Sequence, residues 1–370
     1  MFSPFHNVTA NVSDTVRQYE KSNSRPVIGV MPAYFPMELI EAAGGYPVQL
    51  WGNNLSIKHA DSHLQGFCCS VAKSIMELEL RGSAKMVKAY AFTSLCDTLV
   101  NLREIYDRIL IKPDVVLPLP MTRTMEARRT YLETGLESVK TGLEKVTGSK
   151  ITTASLADAA ELHGKTRELQ RALYQIRRDS PGLIKNFDFY TVIKAGFFLP
   201  RFEYNQMLTD LLGSLQNLKA PEGKRVKIVP TGLVFDPMDI FKIFDELNID
   251  VVDDDFANGW RSVSKKTIQT DDLVEGVSQY LYQASPCCCL YNPDIDRHDY
   301  LVNKIKDSGA DGALFWYVNF CEPDAFDAPQ LKERLKKEGI PISSIDIELT
   351  MTNFDAVKTR ISAFCEILEG

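Results

Sequence analysis

Short apolar runs alternate with helix-patterned segments along two long parts of this chain, and this alternation limits the possible folds more than any other feature. Runs of this length are typical of buried strands, and apolar residues spaced three and four apart are typical of helices that pack on one side. A strand, helix, strand order predicts a parallel sheet with helices on its faces. The predicted strands are residues 26–31, 47–51, 87–93, 115–120, 225–230, 250–253, 313–319 and 342–347, and the predicted helices are residues 36–43, 70–81, 97–106, 237–247, 271–283, 299–308, 328–338 and 355–368.

The middle of the chain breaks this alternation, because it is helical in pattern throughout. A chain of 370 residues also exceeds the usual size of a single core, so two domains are expected. We therefore predict an α/β protein with two parallel-sheet domains and a helical connecting layer. The predicted parts are an N-terminal helical arm at 1–25, a first α/β domain at 26–123, a helical connecting region at 124–220 (helices at 126–146, 153–178 and 187–218) and a second α/β domain at 221–370.

Charge and hydropathy exclude several classes of protein. The net charge of −7 argues against nucleic acid as a main partner, since phosphate binding needs a basic face. No apolar run approaches the roughly 18–20 residues of a membrane span, and the first residues lack the pattern of a signal peptide. These features predict a cytoplasmic protein, in which structural disulfides are rare. The eight cysteines therefore indicate metal or redox chemistry.

Cys96 stands where a predicted strand gives way to a predicted helix. The strand at 87–93 leads into Ser94-Leu95-Cys96-Asp97-Thr98, which carries the residue types that begin helices. Unpaired N–H groups and the positive end of the helix dipole lower the pKa of a thiol there, and the thiolate is the form that binds metal. We therefore expect a reactive or metal-binding thiol at Cys96.

Two further cysteines share this setting. Cys321 follows the strand at 313–319 and precedes Glu322-Pro323, a pair expected to stop the strand and open a loop, while Cys69 precedes the helix at 70–81. Ligands of open α/β sheets bind at the carboxyl ends of the strands. The chain has neither paired CxxC knuckles for zinc nor a CxxCxxC ferredoxin run. Thiols scattered over separate loops at one sheet edge suit a [4Fe–4S] cluster.

Other chemical groups admit two interpretations each. The triplet Cys287-Cys288-Cys289 predicts a buried strand at 287–291 whose sulfurs act as small apolar groups, or else supplies additional ligands. His59 and His63 have the spacing of a metal pair on a helix, but solvated or capping roles are favoured. The acidic run at 253–255 is either a magnesium site or the rim of a loop.

Several segments resemble one known family along nearly the whole chain, from about residue 25 to residue 368. The resemblance is to the 2-hydroxyacyl-CoA dehydratase and benzoyl-CoA reductase family, and the Phe-Cys-Glu-Pro turn and the length are most similar to its smaller subunit. The segments that carry it are residues 28–44 (IGVMPAYFPMELIEAAG), 94–98 (SLCDT), 194–200 (KAGFFLP), 205–208 (NQML), 251–255 (VVDDD), 320–323 (FCEP) and 359–364 (TRISAF).

The resemblance implies two flavodoxin-like α/β domains and one [4Fe–4S] cluster bound by Cys69, Cys96 and Cys321. It also implies a larger homologous subunit that binds most of the acyl-CoA substrate, and an ATP-hydrolysing iron–sulfur activator that supplies one low-potential electron. Members of the family use this electron to form a ketyl radical from a CoA thioester, for dehydration or ring reduction. The resemblance indicates no acid or base residue in this subunit.

The segment Pro286-Cys287-Cys288-Cys289 departs from the smaller dehydratase subunits. It resembles the Cys-x-Cys segment of a sister group, the double-cubane cluster proteins, which are homodimers that reduce small molecules. An [8Fe–9S] cluster is therefore an alternative, and a non-catalytic paralogue with inert thiols is a third. The six ligands of the double cubane would be Cys68, Cys69, Cys96, Cys287, Cys289 and Cys321.

Overall fold

Two parallel sheets covered by helices form the frame of the protein in a computed structural model that describes residues 1–119, 125–282, 285–290, 292 and 294–370. The strands are β1 (Val27–Val30), β2 (Tyr46–Gln49), β3 (Val87–Thr93), β4 (Asp114–Leu117), β5 (Val226–Gly232), β6 (Ile249–Val251), β7 (Asp255–Phe256), β8 (Gly312–Val318) and β9 (Ile342–Ile347). The helices are α1 (Ser3–Ala10), α2 (Val12–Asn23), α3 (Met37–Ala42), α4 (Ser70–Leu80), α5 (Asp97–Ile109), α6 (Met125–Thr147), α7 (Thr153–Asp179), α8 (Asn186–Ala195), α9 (Arg201–Leu215), α10 (Asp239–Glu246), α11 (Trp260–Val263), α12 (Leu273–Tyr282), α13 (Arg297–Asp307), α14 (Glu322–Lys337) and α15 (Asp355–Glu369).

The two sheets share one strand order. The first sheet runs β2-β1-β3-β4, and the second runs β6-β5-β8-β9 with β7 beside β5. Neighbouring strands of both sheets, as far as the structure describes them, are parallel. The α/β prediction is therefore confirmed, and this order is consistent with flavodoxin-like domains.

The interior strands β3 and β8 are apolar because helices cover both faces of each sheet. Six of the seven residues are buried in each of these strands, which is typical of parallel sheets. Trp316 on β8 is fully buried and contacts the rings of Phe241 and Phe256. One apolar core includes side chains of both sheets, such as Phe92 and Trp316. The carboxyl ends of β3 and β8 are thus fixed by a common core.

The helices α6 to α9 lie between β4 and β5 in the chain and so link the two sheets. Helix α6 packs on β4, and α7 packs on α3 and α9. The helix α7 begins with a capping box between Thr152 and Ser155. No helix of the described residues is long and apolar enough to cross a membrane.

Several predicted elements differ from the structure. The N-terminal arm is two helices, and the predicted helix at 187–218 is divided into α8 and α9. The predicted strand at 115–120 ends at Leu117, and residue 120 lies outside the described residues. The predicted domain boundary at residues 123 and 124 also lies outside the described residues, so the ranges of the four predicted parts stay predictions.

The predicted strand at 287–291 is wrong in its described part. The Leu290 N–H donates a hydrogen bond to the Cys287 carbonyl at 3.1 Å, which closes a tight turn. Residue 291 itself lies outside the described part of the chain. Three consecutive cysteines in a turn can direct their side chains to one side, which an extended strand cannot do.

Candidate metal centre

Each of the three cysteines proposed as ligands stands at the start of a helix. Cys69 is the N-cap of α4, Cys96 is the N-cap of α5, and Cys321 is the N-cap of α14. Cys96 follows the end of β3, and Cys321 follows the end of β8. The prediction that these two residues lie at the carboxyl ends of strands is therefore confirmed.

The turn before Cys321 differs from the sequence prediction. Glu322 and Pro323 do not open a loop, because they form the first turn of α14. Proline suits this position, since its missing N–H would have no partner in the helix anyway. Phe320 has a φ of +64°, in the left-handed region that non-glycine residues rarely adopt. This unusual backbone directs the chain from β8 into the helix and places Cys321 at the helix start.

Contacts near the start of α4 and the end of β2 link the two sheets. The Leu349 N–H, just beyond β9, donates a hydrogen bond to the Ser70 hydroxyl at 3.1 Å in the first turn of α4. The Gln49 N–H at the end of β2 donates to the Phe197 carbonyl at 2.9 Å, and the Phe197 ring stacks on that of Phe235, which follows β5. The carboxyl edges of the two sheets therefore lie near each other.

The three thiols are close enough to influence one another electrostatically. Burial raises the pKa of Cys69 to about 12, and the charge of Cys96 adds to this increase. Burial also raises the pKa of Cys321, with contributions from the charges of Cys69 and Cys96. The three thiols therefore lie within electrostatic range of one another, while the group with metal-binding geometry among the described residues is the triplet Cys287-Cys288-Cys289.

Burial outweighs the helix N-terminus at Cys96. The N–H groups of Leu99 and Thr98 lower the pKa of this thiol, as expected for a helix start, but desolvation raises it by more. The prediction of a lowered pKa at Cys96 is therefore wrong for the protein without a bound metal. A coordinated metal would reverse this balance, because it deprotonates the thiol that binds it.

The triplet Cys287-Cys288-Cys289 forms a second group of sulfurs beside the first. The three sulfurs lie within 4.8 Å of one another, with 3.9 Å between the Sγ atoms of Cys288 and Cys289. Hydrogen bonds from Cys288 and Cys289, together with nearby arginines, lower the pKa of Cys287. The charge of Cys287 raises the pKa of Cys96, so the triplet lies near the three helix-start cysteines. The interpretation of the three triplet sulfurs as inert apolar groups does not explain these hydrogen bonds and nearby charges.

Two buried arginines flank the triplet. Arg261 donates from Nη1 to the Cys287 Sγ at 3.7 Å, and from Nε and Nη2 to the Asp255 carboxylate at 3.0 and 2.8 Å. Arg297 donates to the same Asp255 carboxylate at 2.8 Å, and to Asp327 at 2.7 Å. Asp255 thereby fixes two positive groups against the sulfurs. Such an environment stabilises negative charge on thiolate ligands.

A buried carboxyl group lies on the other side of the triplet. The Cys288 thiol donates to Asp324 Oδ1 at 3.2 Å, while Asp324 Oδ2 has no hydrogen-bond partner among the described residues. Burial raises the pKa of Asp324. This carboxyl group is in the first turn of α14, close to Cys321.

The acidic run at 253–255 is not the rim of a loop, because all three side chains are buried. Asp253 pairs with Lys304 at 2.7 Å, and Asp254 accepts hydrogen bonds from the Tyr174 and Tyr190 hydroxyls at 2.7 and 2.8 Å. No group with metal-binding geometry among the described residues includes these carboxylates. They act as anchors for cations and hydroxyls.

The remaining candidates lie at the edge of the site or away from it. His59 contacts Glu77 through Nδ1 at 3.0 Å, and His63 is exposed. Cys68 is half-buried beside Gln65, with 3.8 Å between its Sγ and the Gln65 Oε1. Cys68 is nevertheless close enough to raise the pKa of Cys69.

Sequence reasoning missed Arg261, Arg297 and Asp324. Nothing in local spacing marks the two arginines, since their partners are distant in the chain. Asp324 alone carried a signal, because an acidic residue three positions after a helix-start cysteine faces the same helix end.

Comparison with known proteins identifies the family. The family model for the D-component of 2-hydroxyglutaryl-CoA dehydratase matches residues 32–368. The chain belongs to this family. The resemblance found in the sequence is therefore confirmed, as is the prediction of an enzyme subunit.

Individual proteins also match this chain over nearly its whole length. The (R)-phenyllactyl-CoA dehydratase beta subunit of Clostridium sporogenes is 29% identical, covering 99% of this chain and 98% of the relative. The lactoyl-CoA dehydratase beta subunit of Anaerotignum propionicum is 28% identical, covering 100% and 98%. One subunit of the benzoyl-CoA reductase of Thauera aromatica is 25% identical, covering 95% and 94%.

Proposed function

We propose that this chain is the smaller, iron–sulfur subunit of an ATP-activated radical enzyme that acts on acyl-CoA thioesters. The reaction is dehydration of a 2-hydroxyacyl-CoA or reduction of benzoyl-CoA, as the names of its relatives suggest. The observation that supports the proposal is that three cysteines at helix starts lie within electrostatic range of one another.

The residues present fit a [4Fe–4S] cluster bound by Cys69, Cys96 and Cys321. Such a cluster takes three or four thiolates around one centre, and these three thiols lie within electrostatic range of one another, with Cys69 and Cys321 buried and Cys96 half-buried. Bound there, the cluster would supply one-electron transfer at low potential.

The surrounding protein groups would stabilise the negative charge on the ligand sulfurs. N–H groups at the starts of α4, α5 and α14 already lower the pKa of the three thiols against the effect of burial. Arg261 adds a buried positive charge beside Cys287, which is close enough to the ligand Cys96 for its charge to affect the pKa of that thiol. The N–H groups and the arginine favour the thiolate, whereas the apolar surroundings exclude water and favour the neutral thiol, so a bound metal would have to deprotonate the three ligands.

Exposed aromatic side chains beside the cysteine loops support a partner subunit. Phe67, next to Cys68, is 67% exposed, and Phe320, next to Cys321, is 49% exposed. Aromatic residues are enriched in protein interfaces. A larger homologous subunit would cover them and bind most of the acyl-CoA, and an ATP-hydrolysing iron–sulfur activator would deliver the electron.

Reconstitution tests this function. The chain is purified under argon with its larger homologous subunit and activator, and turnover of 2-hydroxyacyl-CoA and benzoyl-CoA substrates is measured with ATP. We expect ATP-dependent turnover that Cys96→Ser abolishes and Cys365→Ser retains, because Cys365 lies on α15, which carries none of the proposed ligands. Full turnover in Cys96→Ser would contradict the proposal.

A double-cubane [8Fe–9S] protein is the second candidate, and the position of the triplet favours it. The Cys287 group neighbours Cys96, so six sulfurs could serve two bridged cubes. This candidate predicts a homodimer with about eight irons per chain, and loss of about half of them in Cys287→Ser and Cys289→Ser. Unchanged iron in both variants would exclude it and leave the single cluster.

A further inference from the structure

A cavity with polar and apolar walls lies next to the cysteine groups. Its volume is about 50 Å³, and by the roughly 10–15 Å³ that one water requires it could hold about three to five waters or one small ion. Tyr34, on its wall, is close enough to Cys287 for the thiol charge to raise the tyrosine pKa. The cavity is therefore adjacent to the candidate metal centre.

Four N–H groups of side chains that line this cavity have no hydrogen-bond partner among the described residues. They are Nε and Nη2 of Arg167, Nε of Arg201 and Nδ2 of Asn258. The three residues are 5%, 4% and 1% exposed. Buried polar groups are nearly always hydrogen-bonded, so donors in this number indicate an acceptor in the cavity.

Positive charge exceeds negative charge around the cavity. Glu38 pairs with Arg167 at 2.7 Å, and Glu41 pairs with Arg25 at 2.6 Å. Within the described ranges, Arg201 and Lys265 have no carboxylate at ion-pair distance, although both are buried. Burial and the charge of Arg167 lower the pKa of Lys265 to about 7. A bound anion would neutralise this excess.

We infer that the cavity binds a short-chain carboxylate, of the size of formate or acetate. The guanidinium groups would donate to its oxygens, and Lys265 would provide the balancing charge. Its other walls include the side chains of Val30, Met31, Phe35, Ile193 and Phe197. Such walls suit the alkyl part of a carboxylate better than the polar surface of phosphate. This inference does not depend on the proposed function.

Calorimetric titration of the whole chain with formate, acetate and phosphate at constant ionic strength tests the site. We expect one saturable site for formate or acetate. Lys265→Met, which replaces a buried charge by an apolar side chain of similar shape, should weaken binding at least tenfold, as should Arg201→Gln. Lys185→Met makes the same change at an exposed position and should bind like the unaltered protein.

Three results would overturn the inference. They are the absence of saturable carboxylate binding, tighter binding of phosphate than of either carboxylate, and unchanged affinity in Lys265→Met or in Arg201→Gln. Circular dichroism establishes that each variant is folded. Iron content is measured in parallel, and it should be equal in all of these proteins, so that loss of anion binding is distinguished from loss of a metal cluster.

Discussion

Replacing Asp255 with asparagine removes the negative charge that two buried guanidinium groups share. Asp255 is fully buried, and its carboxylate accepts hydrogen bonds from Arg261, Arg297 and the Thr231 hydroxyl. Asparagine has nearly the same shape, so the change tests charge and not volume. The variant would leave Arg261 without a carboxylate partner, with only the Cys287 sulfur beside it.

The size of the effect follows from the cost of an unpaired buried charge. Breaking a buried ion pair by removing one partner costs about 3–5 kcal/mol. For a chain of this length such a loss corresponds to a decrease in Tm of about 4–6 °C. Asp239→Asn is the matched control, because Asp239 forms an exposed pair with Lys242 and such pairs contribute about 0–1 kcal/mol.

The pH dependence provides a second test of the same carboxylate. The two arginines lower the pKa of Asp255 from its ordinary 3.8 to about 2, against the opposing effect of burial. A lowered pKa in the folded state stabilises the protein above pH 3.8, and this contribution of about 2 kcal/mol is lost as the pH falls through 2. Asp255→Asn should lack this part of the acid transition.

Urea unfolding at neutral and acidic pH measures both quantities. We expect a large loss of unfolding free energy for Asp255→Asn at pH 7 and a smaller difference from the unaltered protein at pH 2. A loss at pH 7 no larger than that of Asp239→Asn would refute the view that Asp255 balances the two guanidinium groups.

Three further substitutions test the frame around the site, each by urea unfolding. Glu77→Gln should lower the unfolding free energy by about 1–3 kcal/mol, because the buried carboxylate accepts three backbone N–H bonds from residues 58–60. The pKa of Glu77 is lowered in the folded protein, so this stabilisation disappears at acid pH. An acid dependence of stability that is the same in Glu77→Gln as in the unaltered protein would contradict this role of the carboxylate. Gly232→Ala should cost about 1–3 kcal/mol, because a Cβ would lie 2.3 Å from the Trp316 carbonyl oxygen, and a neutral result would show that β5 and β8 can separate. Thr152→Ala should cost about 1 kcal/mol through loss of the capping box with Ser155, and Thr152→Ser, which keeps the hydroxyl, should not.

Local patterns predict the frame of the protein well, because the apolar runs and helix caps that define it are local. The strand before Cys96 and the strand before Cys321 both have the predicted type and place. The short strand β7 is not predicted, since Asp255 and Phe256 carry no apolar run. The burial of Asp255 in β7 is explained only by its pairing with Arg261 and Arg297, which come later in the chain.

The candidate site is predictable in its cysteines but not in its charges. Cys69, Cys96 and Cys321 have a local signature, because each stands beside a helix start. The turn at Cys287 is not predictable in the same way, since three consecutive cysteines have the apolar composition of a strand. Arg297 reaches its carboxylate from 42 positions away, and such pairs arise only from tertiary packing.

Iron and acid-labile sulfide content per chain tests the central claim most directly. The protein and its Cys69→Ser, Cys96→Ser, Cys321→Ser and Cys365→Ser variants are purified under argon and analysed together. We predict about four irons with matching sulfide in the unaltered protein and in Cys365→Ser, and a clear loss in each of the other three variants. One zinc without sulfide, or full iron in Cys69→Ser, Cys96→Ser and Cys321→Ser alike, would contradict the account.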